Sequence, residues 1–170
     1  MRFDKVARGL IERLRAAAGK MVPDGSTVLL TITAPIRLDS KTGTVLEERI
    51  QALALLKTPG RDREETVHGN RVRMRLVRTG SMPAPKLIGF VHNPDTDAVL
   101  LLNVASELLE SLNGATAQGP ARERRLVLVS ERESSYVEAY RATFAQLEVP
   151  AAFGTIAIAF GDGRTESLRD

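Results

Sequence analysis

The sequence predicts one α+β domain spanning residues 1–170, built as two layers: a mixed, largely antiparallel sheet with helices packed mainly on one face. Three observations predict it. Segments with apolar residues every three or four positions are interspersed with shorter runs of strand type, with no internal repeat. Several strand runs are neighbours separated only by turn residues, as in a meander. The chain has 170 residues, 43% hydrophobic and 26% charged, which suits one domain with one core.

The first helix is predicted over Phe3 to Gly19. Phe3, Val6, Leu10, Ile11, Leu14 and Ala18 form its stripe, and Gly19 is placed to stop it. Its small alanines and interspersed acids favour core packing over membrane binding. After a Pro-Asp-Gly turn, "STVLLTITA" reads as an interior strand, with Val28, Leu30 and Ile32 on one face and Thr27, Leu29, Thr31 and Thr33 on the other. Asp39 or Ser40 is expected to cap a second helix, whose inner stripe is Leu46, Ile50, Leu53 and Ala54.

"EETVHGNRVRMRLVR" is expected to be a hairpin turning at Gly69-Asn70, which sets Glu64 opposite Arg75 and Thr66 opposite Arg73. Successive strand side chains point to opposite faces. Arg71, Arg73 and Arg75 therefore stand in a row over an apolar underside of Val72, Met74 and Leu76. The Pro-rich segment 79–87 is a loop, followed by the strand "KLIGFVH". "NPDTD", residues 93–97, fits either a hairpin on a type I turn or a helix start. The hairpin is preferred because "AVLLLN" fills well as a buried strand, and it delays the next helix to Asn103, with Gly114 near its end. "RLVLVS" is a strand. A helix capped by Ser134 or Ser135 carries Tyr136, Val137, Tyr140, Phe144 and Leu147. A final strand turns at Asp162-Gly163 into a short polar return at an edge.

Composition narrows the chemistry. With no cysteine, disulfides, thiolate nucleophiles and cysteine-ligated metals are excluded. His68 and His92 lack metal-ligand spacing, so neither metal nor cofactor is expected. No apolar run reaches the roughly 20 residues of a membrane span, and the charged N-terminal helix lacks a signal-peptide core; a cytoplasmic protein with no membrane partner is expected. The balance of 24 basic against 21 acidic residues gives +3. Nucleic acid is a possible partner at that charge, but not the favoured one.

No phosphate-cradling GxxxxGK[ST], no GxGxxG and no GxSxG elbow occurs. The enzymatic candidate is "HNPDTD": His92, Asp95 and Asp97 sit where a strand meets its turn, and an imidazole near carboxylates can act as a general base or join a ligand pocket. These residue types are also what the turn itself requires. The polyanion candidate is Arg71, Arg73 and Arg75 with Arg78, and Arg122, Arg124 and Arg125 as possible additions. No aromatic residue lies among them between 61 and 89 to stack bases, and Asp62, Glu64 and Glu65 are near enough to neutralise them. The leading expectation is a protein-association module that self-associates through an uncovered sheet face or an edge strand. Its warrant is that Leu87, Val91, Leu100 and Leu102 exceed what one helical layer covers.

Overall fold

The computed structural model describes residues 2–56, 62–80, 84–117, 124–147 and 153–169. Its fold is α+β, organised about β1 (Ser26–Thr33), whose residues 27–32 are all buried. A strand apolar on both sides needs cover on both faces and neighbours on both edges. β3 (Asn70–Arg78) pairs with it antiparallel, Leu29 opposite Arg75, and β4 (Leu87–His92) pairs with it parallel, Leu30 opposite Gly89. β2 (Arg63–Val67) lies outside β3, giving a four-stranded sheet in the order β2-β3-β1-β4.

One face of this sheet, with Val28, Leu30, Ile32, Val72 and Met74, buries Leu10 and Leu14 of α1 (Arg2–Met21) and Leu46 and Ile50 of α2 (Asp39–Ala54). Arg13 ties the two helices together through Glu47 (2.8 Å), the Ser40 carbonyl (3.0 Å) and Thr44 (3.1 Å). The opposite face presents Leu29, Ile88 and Phe90 to α3 (Ala98–Ala117). β5 (Arg124–Val129), β6 (Phe153–Ala159) and β7 (Thr165–Arg169) form a second sheet, parallel between β5 and β6 and antiparallel between β6 and β7. Leu128, Ile156 and Ile158 from its inner side join the α3 core together with Tyr140 of α4 (Val137–Phe144).

The α+β class and the mixed pairing match the sequence expectation, while the layering is richer. Strands divide between two sheets, and helices lie on both faces of the larger one. The expected meander is replaced where "KLIGFVH" returns beside β1 in parallel instead of beside β3. At 93–97 the helix start prevails over the hairpin. Asp97 Oδ1 accepts the Val99 and Leu100 N–H groups at 2.9 and 3.2 Å, which caps α3 five residues ahead of Asn103. The apolar run "AVLLL" is thus the first turn of a helix, with Leu102 fully buried and the residues before it half-buried, and not a strand.

The β2–β3 hairpin turns at His68-Gly69, with Val67 opposite Asn70. Both turn residues have positive φ, 49° and 82°, as a type I′ turn demands. Asn70 belongs to β3, 1% exposed; its amide donates to the Arg37 and Val67 carbonyls and to Thr42, and its Oδ1 accepts the Arg37 N–H. The register moves by two residues from the expected one, so every side chain keeps its face while Glu64 comes opposite Arg73 instead of Arg75, and Thr66 opposite Arg71. Helix ends also differ. Leu38, not Asp39 or Ser40, occupies the cap of α2 without a side-chain bond. A 3₁₀ turn (Ser134–Tyr136), with no side-chain cap, precedes α4. Gly19 and Gly114 lie inside α1 and α3.

Candidate functional site

Arg71, Arg73 and Arg75 do share one face of β3. It is the face that carries Leu29 and Thr31 on β1, and therefore the α3 side of the sheet. Arg75 is gripped by both Asp62 oxygens, at 2.6 and 3.0 Å, and donates to Ser106 Oγ of α3 at 3.0 Å. Arg73 reaches Glu64 at 2.6 Å. Arg71, its side chain 72% exposed, has Glu64 only at 3.8 Å. The row thus grades from an ion pair packed beside α3 to an open guanidinium at the hairpin end. Arg78 falls on the opposite parity, Arg124 and Arg125 belong to the other sheet, and Arg122 lies outside the described residues.

At the open end of the row the chain forms a cleft of about 200 Å³. Arg71, Arg73 and Glu64 line it with Thr31 and Thr33 of β1, His92 at the end of β4, and Pro94, Thr96 and Asp97 leading into α3. Two separate sequence candidates, the arginine row and the His92 turn, therefore meet in one place. They do so because β4 runs parallel to β1, which sets His92 opposite Thr33, while β3 flanks β1 on its other edge. Asp97 is part of the cleft and Asp95 is not; it sits exposed in the turn.

His92 Nδ1 lies 2.7 Å from the Asn93 carbonyl, so in the neutral ring this nitrogen carries the proton and Nε2 is the acceptor. Nε2 is buried and has no partner. Thr31 is 1% exposed, and its hydroxyl makes no hydrogen bond to a described residue. Thr31 and Thr33 were visible in the sequence only as one face of a strand; nothing local marked them as cleft residues. Among the described residues, no three acidic or histidine side chains gather in a metal-ligating group.

A polar network lies between α3, the end of β5 and α4. Arg132 grips Glu107 at 2.7 and 3.3 Å, and Tyr140 donates to Glu107 at 3.0 Å. Ser130 Oγ, 2.8 Å from the Tyr140 oxygen, accepts the Arg132 N–H at 3.1 Å. Since the Tyr140 proton goes to the carboxylate, Ser130 donates to Tyr140, and the bonds run in one direction. Burial pushes the Glu107 carboxyl upward, but the Arg132 and Tyr140 bonds and the Arg132 charge outweigh it and hold the group below the ordinary carboxylate value. Burial and the Glu107 bond raise the Tyr140 hydroxyl, although the Ser130 bond opposes them.

The apolar excess noted in the sequence is absorbed by helices on both faces: Leu87 is fully buried and Val91 half-buried in the core under α1 and α2, and Leu102 is fully buried and Leu100 half-buried in the α3 core. Apolar surface does stay open on the smaller sheet, apart from the exposed Leu38, Leu55 and Leu56 at the ends of α2. Val127 and Val129 are 49% and 80% exposed. Strand register extends them into two rows, Val127–Ala157–Ser167 and Val129–Ala159–Thr165, none of them charged. β5 forms an edge of this sheet.

The fold and these features define an α+β protein with a polar cleft beside its central strand and two uncharged rows on the outer face of its smaller sheet. Comparisons with protein families, with curated proteins and with solved structures each find no match. Among the described residues, no helix is long and apolar enough to cross a membrane.

Proposed function

We propose that this chain acts by protein association, as a self-associating module whose contact is the outer face of β5–β6–β7. The observation that carries this is the pair Val127 and Val129, exposed in two neighbouring rows whose other members, Ala157, Ser167, Ala159 and Thr165, are small and uncharged. Apolar surface gathered in this way favours burial, unlike single exposed hydrophobics scattered over a surface. A second copy is the fitting occupant. The two uncharged rows of each copy can meet about a twofold axis without like-charge repulsion between them. Flat rows of Ala, Ser and Thr also let two sheets approach to about 10 Å.

A polyanion-binding role draws less support, because Asp62 and Glu64 already sit against Arg75 and Arg73. The test is sedimentation velocity across a range of protein concentrations, with Val129→Glu beside wild type and circular dichroism as the folding control. Wild type is expected to associate, and the folded variant to sediment as a monomer. A wild type that stays monomeric throughout, or a variant that associates equally well, overturns the proposal.

A further inference from the structure

The cleft beside β3 plays no part in the association just proposed, and it carries polar groups that the fold leaves unused. We propose that it binds a small hydroxylated anion, a carboxylate or phosphate ester of about ten non-hydrogen atoms or fewer, given a volume below that of drug-sized pockets. Arg71 takes the anionic group, and His92 Nε2 and Thr31 Oγ1 take the hydroxyls.

Two observations carry the assignment. Thr31 is 1% exposed and lines the cleft, yet its hydroxyl has no described partner. His92 Nε2 is buried without a partner while Nδ1 is committed to the Asn93 carbonyl, so the ring is fixed with an acceptor to spare. Buried polar atoms in folded proteins are otherwise almost always bonded, so an orphaned Nε2 on a residue that lines the cleft, beside a hydroxyl with no described partner, marks a place where a ligand completes them.

The sign of the ligand follows from which charges are already occupied. Glu64 is held by Arg73 at 2.6 Å, and Asp97 Oδ1 is taken up by the α3 cap. Arg71, with its nearest carboxylate oxygen at 3.8 Å, keeps its donors available, and a planar guanidinium suits a carboxylate or phosphate in two-point contact.

The test uses the full chain and exploits its having just two histidines, His68 and His92. Ring nitrogen signals, assigned with His68→Gln, are followed by NMR while glycerate, glycerol phosphate, glycerol and inorganic phosphate are added separately. Glycerate or glycerol phosphate is expected to shift the His92 ring saturably and leave His68 unmoved; which of the two binds more tightly decides between carboxylate and phosphate. Glycerol and inorganic phosphate, each holding half of the required chemistry, are expected to bind at least about tenfold more weakly. Arg71→Ala, at an exposed position that does not disturb folding, is expected to weaken the best ligand by a similar factor. No saturable shift with either full ligand, an equal response to glycerol, or unchanged affinity in Arg71→Ala overturns the assignment.

Discussion

The side-chain amide of Gln146 closes both backbone groups of Gly89: Oε1 accepts its N–H at 3.0 Å and Nε2 donates to its carbonyl at 2.9 Å. β4 is an edge strand, and Gly89 turns these groups away from β1. One glutamine from beyond α4 thus stands in for a neighbouring strand and blunts the edge against pairing with another chain. The same Oε1 accepts from Arg15 of α1 at 3.1 Å, so the contact links the two sides of the sheet. A Cβ at Gly89 would lie 2.5 Å from Ile11 Cδ1, so a larger residue there would have to displace the Ile11 side chain.

Gln146→Ala is expected to destabilise the fold by about 1–3 kcal/mol, because it strands two backbone groups at once. Urea denaturation gives the loss, and amide exchange at Gly89 should accelerate more than at Ile88. Equal protection at Gly89 in variant and wild type would refute the edge-closing role.

The arginine row should divide energetically along its length. Arg75→Ala removes a two-point ion pair to Asp62, both side chains under 20% exposed, together with the Ser106 bond, and is expected to cost about 1–3 kcal/mol. Arg71→Ala removes a solvated side chain and is expected to cost less than about 0.5 kcal/mol. Equal losses in denaturation midpoints would contradict the graded geometry.

Among the described residues, two exposed ones other than glycine hold positive φ, Leu38 at 47° and His68 at 49°. Leu38→Gly relieves the first without loss of core and is expected to stabilise by about 0.5–1 kcal/mol. His68→Asn creates the preferred Asn-Gly pair of a type I′ turn and is expected to add about 0.5 kcal/mol. Melting temperatures of the two variants, singly and together, check both values; the sites share no partner, so the gains should add.

Glu107 gives the stability a pH dependence with a definite sign. Its carboxyl is held below its ordinary value of 4.5 in the fold, so the ionised form contributes stability that is complete above that value and is lost as pH falls through the lowered one. Denaturation midpoints of wild type should therefore fall on acidification in this window more steeply than those of Glu107→Gln, which has no proton to gain at this position. Parallel profiles would show that the network does not bias the carboxyl.

Much of the fold was legible because local patterning is decisive wherever one face is buried and the other is not. The stripe of Leu10, Leu14 and Ala18 in α1 and of Leu46, Ile50 and Leu53 in α2 follows the helical period, and all six are buried. The strand character of residues 124–129 and the return after Asp162-Gly163 were equally plain. Patterning was silent where a segment is apolar on every side. Residues 98–102, "AVLLL", carry no polar side to set a period, and only the Asp97 cap distinguishes helix from strand. Tyr136 and Tyr140 show the converse: both fit one helical stripe, yet Tyr140 is 2% exposed and Tyr136, in the 3₁₀ turn, is 38% exposed.

By itself the sequence determined which residues alternate and which repeat every three or four positions, and therefore the α+β class, the arginine row on one strand face and the absence of cysteine chemistry. Only the tertiary structure decided that β4 joins β1 in parallel, that the strands split into two sheets, and that Arg71, Thr31 and His92 border one cleft. The reason is physical. Periodicity fixes the direction in which a side chain leaves its own element, whereas strand partners are selected by burial shared among segments dozens of residues apart, which no local window contains.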